Sequence, residues 1–273
     1  MDIRNLFTRA WAGAVLVLVI VGAVLLGEHS AAILFILLSA ALSYEFHHLT
    51  NVAGVSVNPL TAAIGSSLLS ATTYFLFAFG FDFQTIAPII AVYPIYIMSI
   101  LAAELWRKCE LPLENMAYIA LGQLYIAVPM ALMSCMSLHI SQWVILSVFV
   151  FIWVNDSLAY LTGSLFGRHK LFERISPKKS WEGFVGGNVS ALLAAFGFAC
   201  FDHQLLLWQW LVLAEIIVIF GTIGDFIESL IKRSLHVKDS GNAIPGHGGW
   251  LDRFDSFIFA APPVVLFLFI ILL

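Results

Sequence analysis

Long apolar stretches separated by short polar ones run along the chain from end to end. Each is roughly 17–25 residues long, the length a helix needs to cross about 30 Å of hydrocarbon. The pattern predicts nine helices, at about 10–27, 30–46, 60–80, 85–105, 114–136, 142–165, 184–201, 207–231 and 254–273. Lipid offers backbone polar groups no partners, so these runs read as an all-α polytopic bundle. The first run follows Arg4 and Arg9, but no small-x-small cleavage site comes after it, and it reads as a retained helix. The expected organisation is one integral membrane domain, with N-terminal helices over 1–140 and a catalytic region over 141–273. Two connectors in the latter, 166–183 and 232–253, are long and polar.

Composition supports the membrane reading. The 273 residues are 61% hydrophobic and only 11% charged, where a soluble domain is nearer a quarter charged. The net charge of −4 says little; its distribution says more. With the N-terminus in the cytoplasm and sides alternating, one side receives Arg4, Arg9, Arg107, Lys108, Arg168, Lys170, Arg174, Lys178, Lys179, Lys232, Arg233, Lys238 and Arg253, which are all 13 Lys and Arg residues. The opposite side has Glu28, Asp82, Asp202 and a few histidines. A multi-pass protein of the inner (cell) membrane is expected, with its chemistry on the cytoplasmic side. The three cysteines show no metal spacing. His47, His48, His139 and His203 show none either and read as interfacial.

Candidate chemistry concentrates in three places. At the end of the eighth helix, Asp225, Glu228, Ser229 and Lys232 recur at i, i+3, i+4 and i+7, one helix face. Carboxylates at membrane depth are costly and face partners or water. Beyond them lie Lys238, Asp239, the glycine-rich turn Pro245–Gly249, and Asp252 and Asp255 one turn apart. Acid oxygens, basic side chains and a glycine-rich turn suit a magnesium–polyphosphate complex. The second place is the loop Ser176-Pro-Lys-Lys-Ser-Trp-Glu-Gly183, with Lys178 and Lys179 between two hydroxyls, Ser176 and Ser180. The third is Asn155-Asp156 in the sixth helix, followed by Gly163 and Gly167, which suit close helix packing. Glu215 reads as a hydrogen-bonding residue inside its span.

The segment from Ser229 to Asp255 resembles the signature of phosphatidate cytidylyltransferases, also called CDP-diacylglycerol synthases. It matches at Ser229, Lys232-Arg233, Lys238-Asp239, Gly241, Ile244-Pro245, His247-Gly248-Gly249, Asp252-Arg253 and Asp255. The Ser-Pro-Lys-Lys-Ser-Trp-Glu-Gly loop and the Asp156–Tyr160 stretch are similar to that family too. The resemblance covers roughly residues 155–255. Trp250 departs from it, standing where the family pattern has an aliphatic residue.

The resemblance implies a dimeric helical membrane enzyme that uses magnesium, with room for a second cation, to join phosphatidic acid to the α-phosphate of CTP. It implies that Asp225 and Asp252 hold the metal; on the chemistry of the residues, Asp239 or Asp255 is expected in support. Lys178, Lys179, Lys232, Arg233, Lys238 and Arg253 would orient phosphates. Ser176, Ser180, Ser229, Asn155, Asp156, Gly248 and Gly249 are expected at the substrates. His247 would either donate to a phosphate oxygen or brace the turn. The expected partners are CTP, phosphatidic acid and the lipid bilayer, with no nucleic acid. The rival readings are a CTP-dependent lipid kinase or related transferase and, further off, an ion-coupled transporter, although no paired repeats with broken helices are visible.

Overall fold

The computed structural model describes residues 3–80, 83–246 and 248–272, with side chains outside that description at 3–9 and 83–86. Asp82 and the side chains of Arg4 and Arg9 therefore lie outside the described residues. Helices are α1 (Ile3–Leu25), α2 (Glu28–Thr50), α3 (Pro59–Phe79), α4 (Phe83–Ala103), α5 (Pro112–Gly122), α6 (Val128–Met136), α7 (Gln142–Phe166), α8 (Trp181–Phe201), α9 (Leu207–Ser234) and α10 (Leu251–Leu272). Strands β1 (Lys170–Phe172) and β2 (Ser176–Ser180) form a small antiparallel hairpin between α7 and α8. The all-α polytopic architecture is as expected. Among the described residues, seven helical segments are long and apolar enough to cross a membrane, and shorter apolar stretches, Ala10–Leu25 and Ala87–Ala103, lie in α1 and α4.

The span at Pro112–Met136 comprises α5, a π-helical turn over Gln123–Ala127 and α6. Pro129 accounts for the turn. It has no N–H to give the carbonyl of Tyr125, and its ring would press on that carbonyl, so the helix widens one step earlier.

The chain forms two compact units. The first contains Met1–His139 and Asp239–Arg253. There α2 packs on α3 and α6 around Phe35, Leu42, Phe46, Ile126, Met130 and Met133. Polar groups of its interior pair across helices: Gln123 Oε1 accepts from Tyr93 Oη at 3.1 Å, and Ser134 Oγ donates to the Ser70 carbonyl at 3.2 Å. His47 is buried here rather than interfacial. Its Nδ1 donates to the Ser43 carbonyl at 2.7 Å, and its ring fills the space a Cβ at Gly122 would take. The predicted span ended at residue 46; α2 continues to Thr50 and carries His47 inward.

The second unit contains Ile140–Lys238 and Phe254–Leu273. Phe149 stacks on Phe257 with centroids 4.8 Å apart, and Phe151, Phe198 and Trp210 form an aromatic cluster. At one end Asp202 accepts from Ser141 Oγ at 2.6 Å, while Ser141 Oγ accepts from Val144 N and caps α7. Helices α7 and α8 approach closely along a seam of small residues. A Cβ at Gly187 would lie 2.7 Å from the Asn155 carbonyl oxygen, and one at Gly183 would lie 2.7 Å from that of Ala159.

This seam predicts the outcome of two substitutions in one helix. Gly187→Leu should lower the unfolding free energy by about 1–3 kcal/mol or more, because the helices must separate. Gly197→Ala, which meets nothing within 4 Å, should leave it unchanged or raise it by about 0.5–1 kcal/mol. Thermal unfolding in detergent measures both.

Candidate active site

The second unit joins two of the sequence constellations. Asp225 and Glu228 lie on the last three turns of α9, facing as the spacing predicts. Ser229 Oγ donates to Asp225 Oδ1 at 3.2 Å, and Lys232 Nζ pairs with Glu228 Oε2 at 2.5 Å. Lys179 arrives from β2, pairs with the other Asp225 oxygen, and lies 4.9 Å over the ring of Phe226. Asp255 on α10 is partly buried, and the charges of Asp225, Glu228 and Asp156 all act on it. Four carboxylates thus share one neighbourhood with two lysines at its edge.

The hairpin is built so that Lys178 and Lys179 point apart. Residues alternate faces along a strand, and Lys178 is exposed while Lys179 is partly buried against Asp225. Ser176 pairs with Phe172 across the hairpin. Ser180 Oγ accepts from Gly183 N at 3.1 Å and so caps α8. Glu182 accepts from the backbone N–H groups of Arg168 and His169, at 3.0 and 3.2 Å, and from His169 Nδ1 at 2.6 Å. Its carboxylate therefore fastens the base of the hairpin to α8.

Asn155 and Asp156 lie on α7. Asn155 is 7% exposed; its Nδ2 donates to Asp156 Oδ1 at 3.3 Å, and its Oδ1 has no hydrogen-bond donor. Arg233 Nη1 donates to the Val237 carbonyl at 3.1 Å, closing the end of α9. Lys238 is exposed beyond it. Glu215 accepts from Asn188 Nδ2 at 2.9 Å, the hydrogen-bonding role expected of it.

The first unit holds the glycine-rich turn. Ile244 N donates to the Gly248 carbonyl at 2.9 Å; His247 lies outside the described residues. Gly248 has φ +85°, a conformation that favours glycine, and a Cβ on it would stand 2.6 Å from Asp252 Oδ2. Asp252 Oδ2 accepts from Ser240 N at 3.1 Å and Gly249 N at 3.0 Å, so this carboxylate organises the turn that precedes it. Asp239 and Arg253 are exposed at its edges.

Sequence reasoning missed Glu45. This residue of α2 is 6% exposed, and its carboxylate accepts from Ser240 Oγ at 2.6 Å, Trp250 N at 2.8 Å and Leu251 N at 2.9 Å. The signal was present: an acid within an apolar run demands a partner. It went unread because the predicted span stopped at residue 46, which put Glu45 at a boundary where acids are ordinary. A cavity of about 470 Å³ opens beside it, lined by Tyr44, His48, Asn242 and Trp250 among others.

Among the described residues, no three His, Cys, Asp or Glu side chains are arranged to hold a metal by themselves. Magnesium does not require that, because it takes one or two carboxylates and completes its shell with water and phosphate oxygens. The second unit supplies hard oxygens only, from Asp156, Asp225, Glu228 and Asp255, and the buried, unpartnered Asn155 Oδ1 adds another. That donor set fits a hard divalent cation rather than a soft one.

These features define a polytopic helical membrane protein with acids and lysines gathered where its helices meet polar connectors. The chain belongs to the cytidylyltransferase family, whose model matches residues 7–271. It is similar to proteins named phosphatidate cytidylyltransferase. Those of Staphylococcus saprophyticus and Staphylococcus haemolyticus are each 42% identical over 151 residues, 55% of either chain. That of Staphylococcus aureus is 46% identical over 119 residues, 43% of this chain and 46% of its own. The chain spans about half the length of the curated relatives it matches.

The cap at Ser180 predicts a stability effect separable from ligand binding. Ser180→Ala should lower the unfolding free energy by about 1 kcal/mol, read as a lower thermal midpoint without substrate. Lys178→Ala should leave that midpoint where it is.

Proposed function

We propose that this protein transfers the cytidylyl group of CTP to phosphatidic acid, releasing pyrophosphate and forming CDP-diacylglycerol for phospholipid synthesis. The ion pair between Lys179 and Asp225 carries this reading, because it joins the basic hairpin to the acidic face of α9. Family membership and the similarity to phosphatidate cytidylyltransferases favour the same reaction.

The chemistry explains the residue types. The nucleophile is a phosphate monoester whose second pKa is about 6, so it is already an anion near neutral pH and needs no strong base. Its oxygen bonds to the α-phosphorus of CTP, the bond from that phosphorus to the bridging α–β oxygen breaks, and pyrophosphate leaves with the electron pair. The obstacle is repulsion between two polyanions. Lys178, Lys179, Lys232, Arg233, Lys238 and Arg253 lower it by orienting the phosphates and holding the charge that moves to the leaving group. Ser176, Ser229, Gly248 and Gly249 would meet the substrates through hydroxyl and backbone donors. Asp225 and Asp252 would hold magnesium, with Asp239 or Asp255 in support and room for a second cation. Magnesium, when bound, neutralises triphosphate charge and polarises the α-phosphate.

The reading places the protein in the cell membrane, the inner one where there are two, with its active site facing the cytoplasm. Confinement of all 13 Lys and Arg residues to one side by alternating spans supports that orientation. A homodimer is the proposed assembly, on the family resemblance. In a cysteine-free background, His203→Cys should react with an impermeant maleimide added to intact cells, and Lys178→Cys only after lysis. The reverse pattern would invert the topology.

The function is tested with detergent-purified protein, phosphatidic acid and CTP, with magnesium or a chelator. Magnesium-dependent CDP-diacylglycerol and pyrophosphate are expected. Asp225→Asn should lower kcat by about a hundredfold or more, as removal of a charge-positioning group does. CTP binding without product would turn attention to another transferase, and a folded protein that binds no CTP would contradict the proposal.

A further inference from the structure

The glycine-rich turn sits at the start of α10, where the first N–H groups of a helix have no partner within the helix. Two carboxylates meet that need. Asp252 Oδ2 takes the amides of Ser240 and Gly249. Glu45, some 200 positions earlier in the chain, takes those of Trp250 and Leu251 and the hydroxyl of Ser240. Gly249 is pinned as well, since a Cβ there would overlap both Glu45 Oε1 and Ser240 Oγ, and one at Gly241 would stand 3.1 Å from Glu45 Oε2. Glu45 is buried deep enough that no water-exposed face explains its charge.

We infer that Glu45 is a positioning residue for the reaction proposed above: its carboxylate, acting only as an acceptor, holds the Ser240–Leu251 turn in the conformation that presents Gly248, Gly249 and Asp252 to the nucleotide. The inference rests on that reading for its effect on turnover, but not for its effect on the turn.

Glutamine separates this role from space filling. All three groups on Glu45 are donors, one N–H on Oε2 and an N–H with an O–H on Oε1. A glutamine has the same shape but must turn its NH2 toward either Trp250 N–H or Leu251 N–H, so one backbone donor loses its acceptor in both orientations. A residue that only filled volume would tolerate the change.

The test measures steady-state kinetics and amide hydrogen exchange of peptides over 240–251 on full-length wild type, Glu45→Gln and Ser240→Ala. For Glu45→Gln, kcat should fall about ten- to a hundredfold, the loss expected for a hydrogen bond to a charged acceptor. KM for CTP should stay within about threefold, because orientation rather than initial binding is impaired. Exchange should accelerate over 240–251 while α2 and α3 keep their protection. Ser240→Ala, which loses one donor, should shift both readouts the same way by less. Gly249→Ala should be as damaging as Glu45→Gln in the wild-type background yet add little to a Glu45→Ala/Ser240→Ala double variant, which vacates both overlapped positions.

Wild-type kcat and exchange in Glu45→Gln would overturn the inference, and so would faster exchange throughout the protein, which marks a general structural residue. If Glu45→Gln does not fold, Ser240→Ala and the Gly249→Ala pair decide the question by the same readouts. A wild type that makes no CDP-diacylglycerol would defeat the functional reading, while exchange at Trp250 and Leu251 would still decide what Glu45 does to the turn.

Discussion

Hydrocarbon offers no hydrogen bonds, so polar groups of this chain must find partners within the protein or reach its ends. That constraint shapes both units. Helices satisfy their backbones internally, and interior side chains such as Gln123, Ser134 and Asn188 find carbonyl, hydroxyl or carboxylate partners. The helix ends need partners as well. Ser141 and Ser180 cap α7 and α8 with their hydroxyls. At α10 the donors are more numerous, and carboxylates from Glu45 and Asp252 take them. Two acids that a membrane makes expensive, Glu45 and Asp252, therefore stand where amides gather.

A second tension runs through the polar end. Four acids gather in the second unit, and fixed negative charge repels the two polyanions of the proposed reaction. Lys179 on Asp225 and Lys232 on Glu228 offset part of it, and hard-oxygen donors suit a divalent cation that would offset more. Lys178, Lys238 and Arg253 are exposed. Asp252 has a double burden: the oxygen that organises the turn also stands beside Gly248. Loss of activity in a variant of Asp252 would thus report folding of the turn together with any metal contact.

Hydropathy made the apolar helices legible, seven of them long enough to cross a membrane among the described residues, because a run of about 20 apolar residues has few alternatives to a membrane helix. The face shared by Asp225, Glu228, Ser229 and Lys232 was legible from helical spacing, and hydrogen bonds along that face match it. Less was visible where structure depends on contacts distant in sequence. The hairpin over 170–180 has only eight strand residues and weak patterning. His47 looked interfacial because nothing in its own segment announces the gap at Gly122 that admits its ring. Glu45 was hidden by an error of four residues in a span end, and its partners lie about 200 positions away. Ser180 shows the opposite difficulty: its place in a basic loop suggests substrate contact, while a plain need of α8 already occupies its oxygen.

The central claim is that the phosphorus attacked is the α-phosphorus of CTP. The most direct measurement supplies purified protein with phosphatidic acid and magnesium, and with CTP carrying label at either the α or the γ phosphate. The account predicts α label in the lipid product and γ label in released pyrophosphate. Label from the γ position in the lipid, with CDP released, would contradict it.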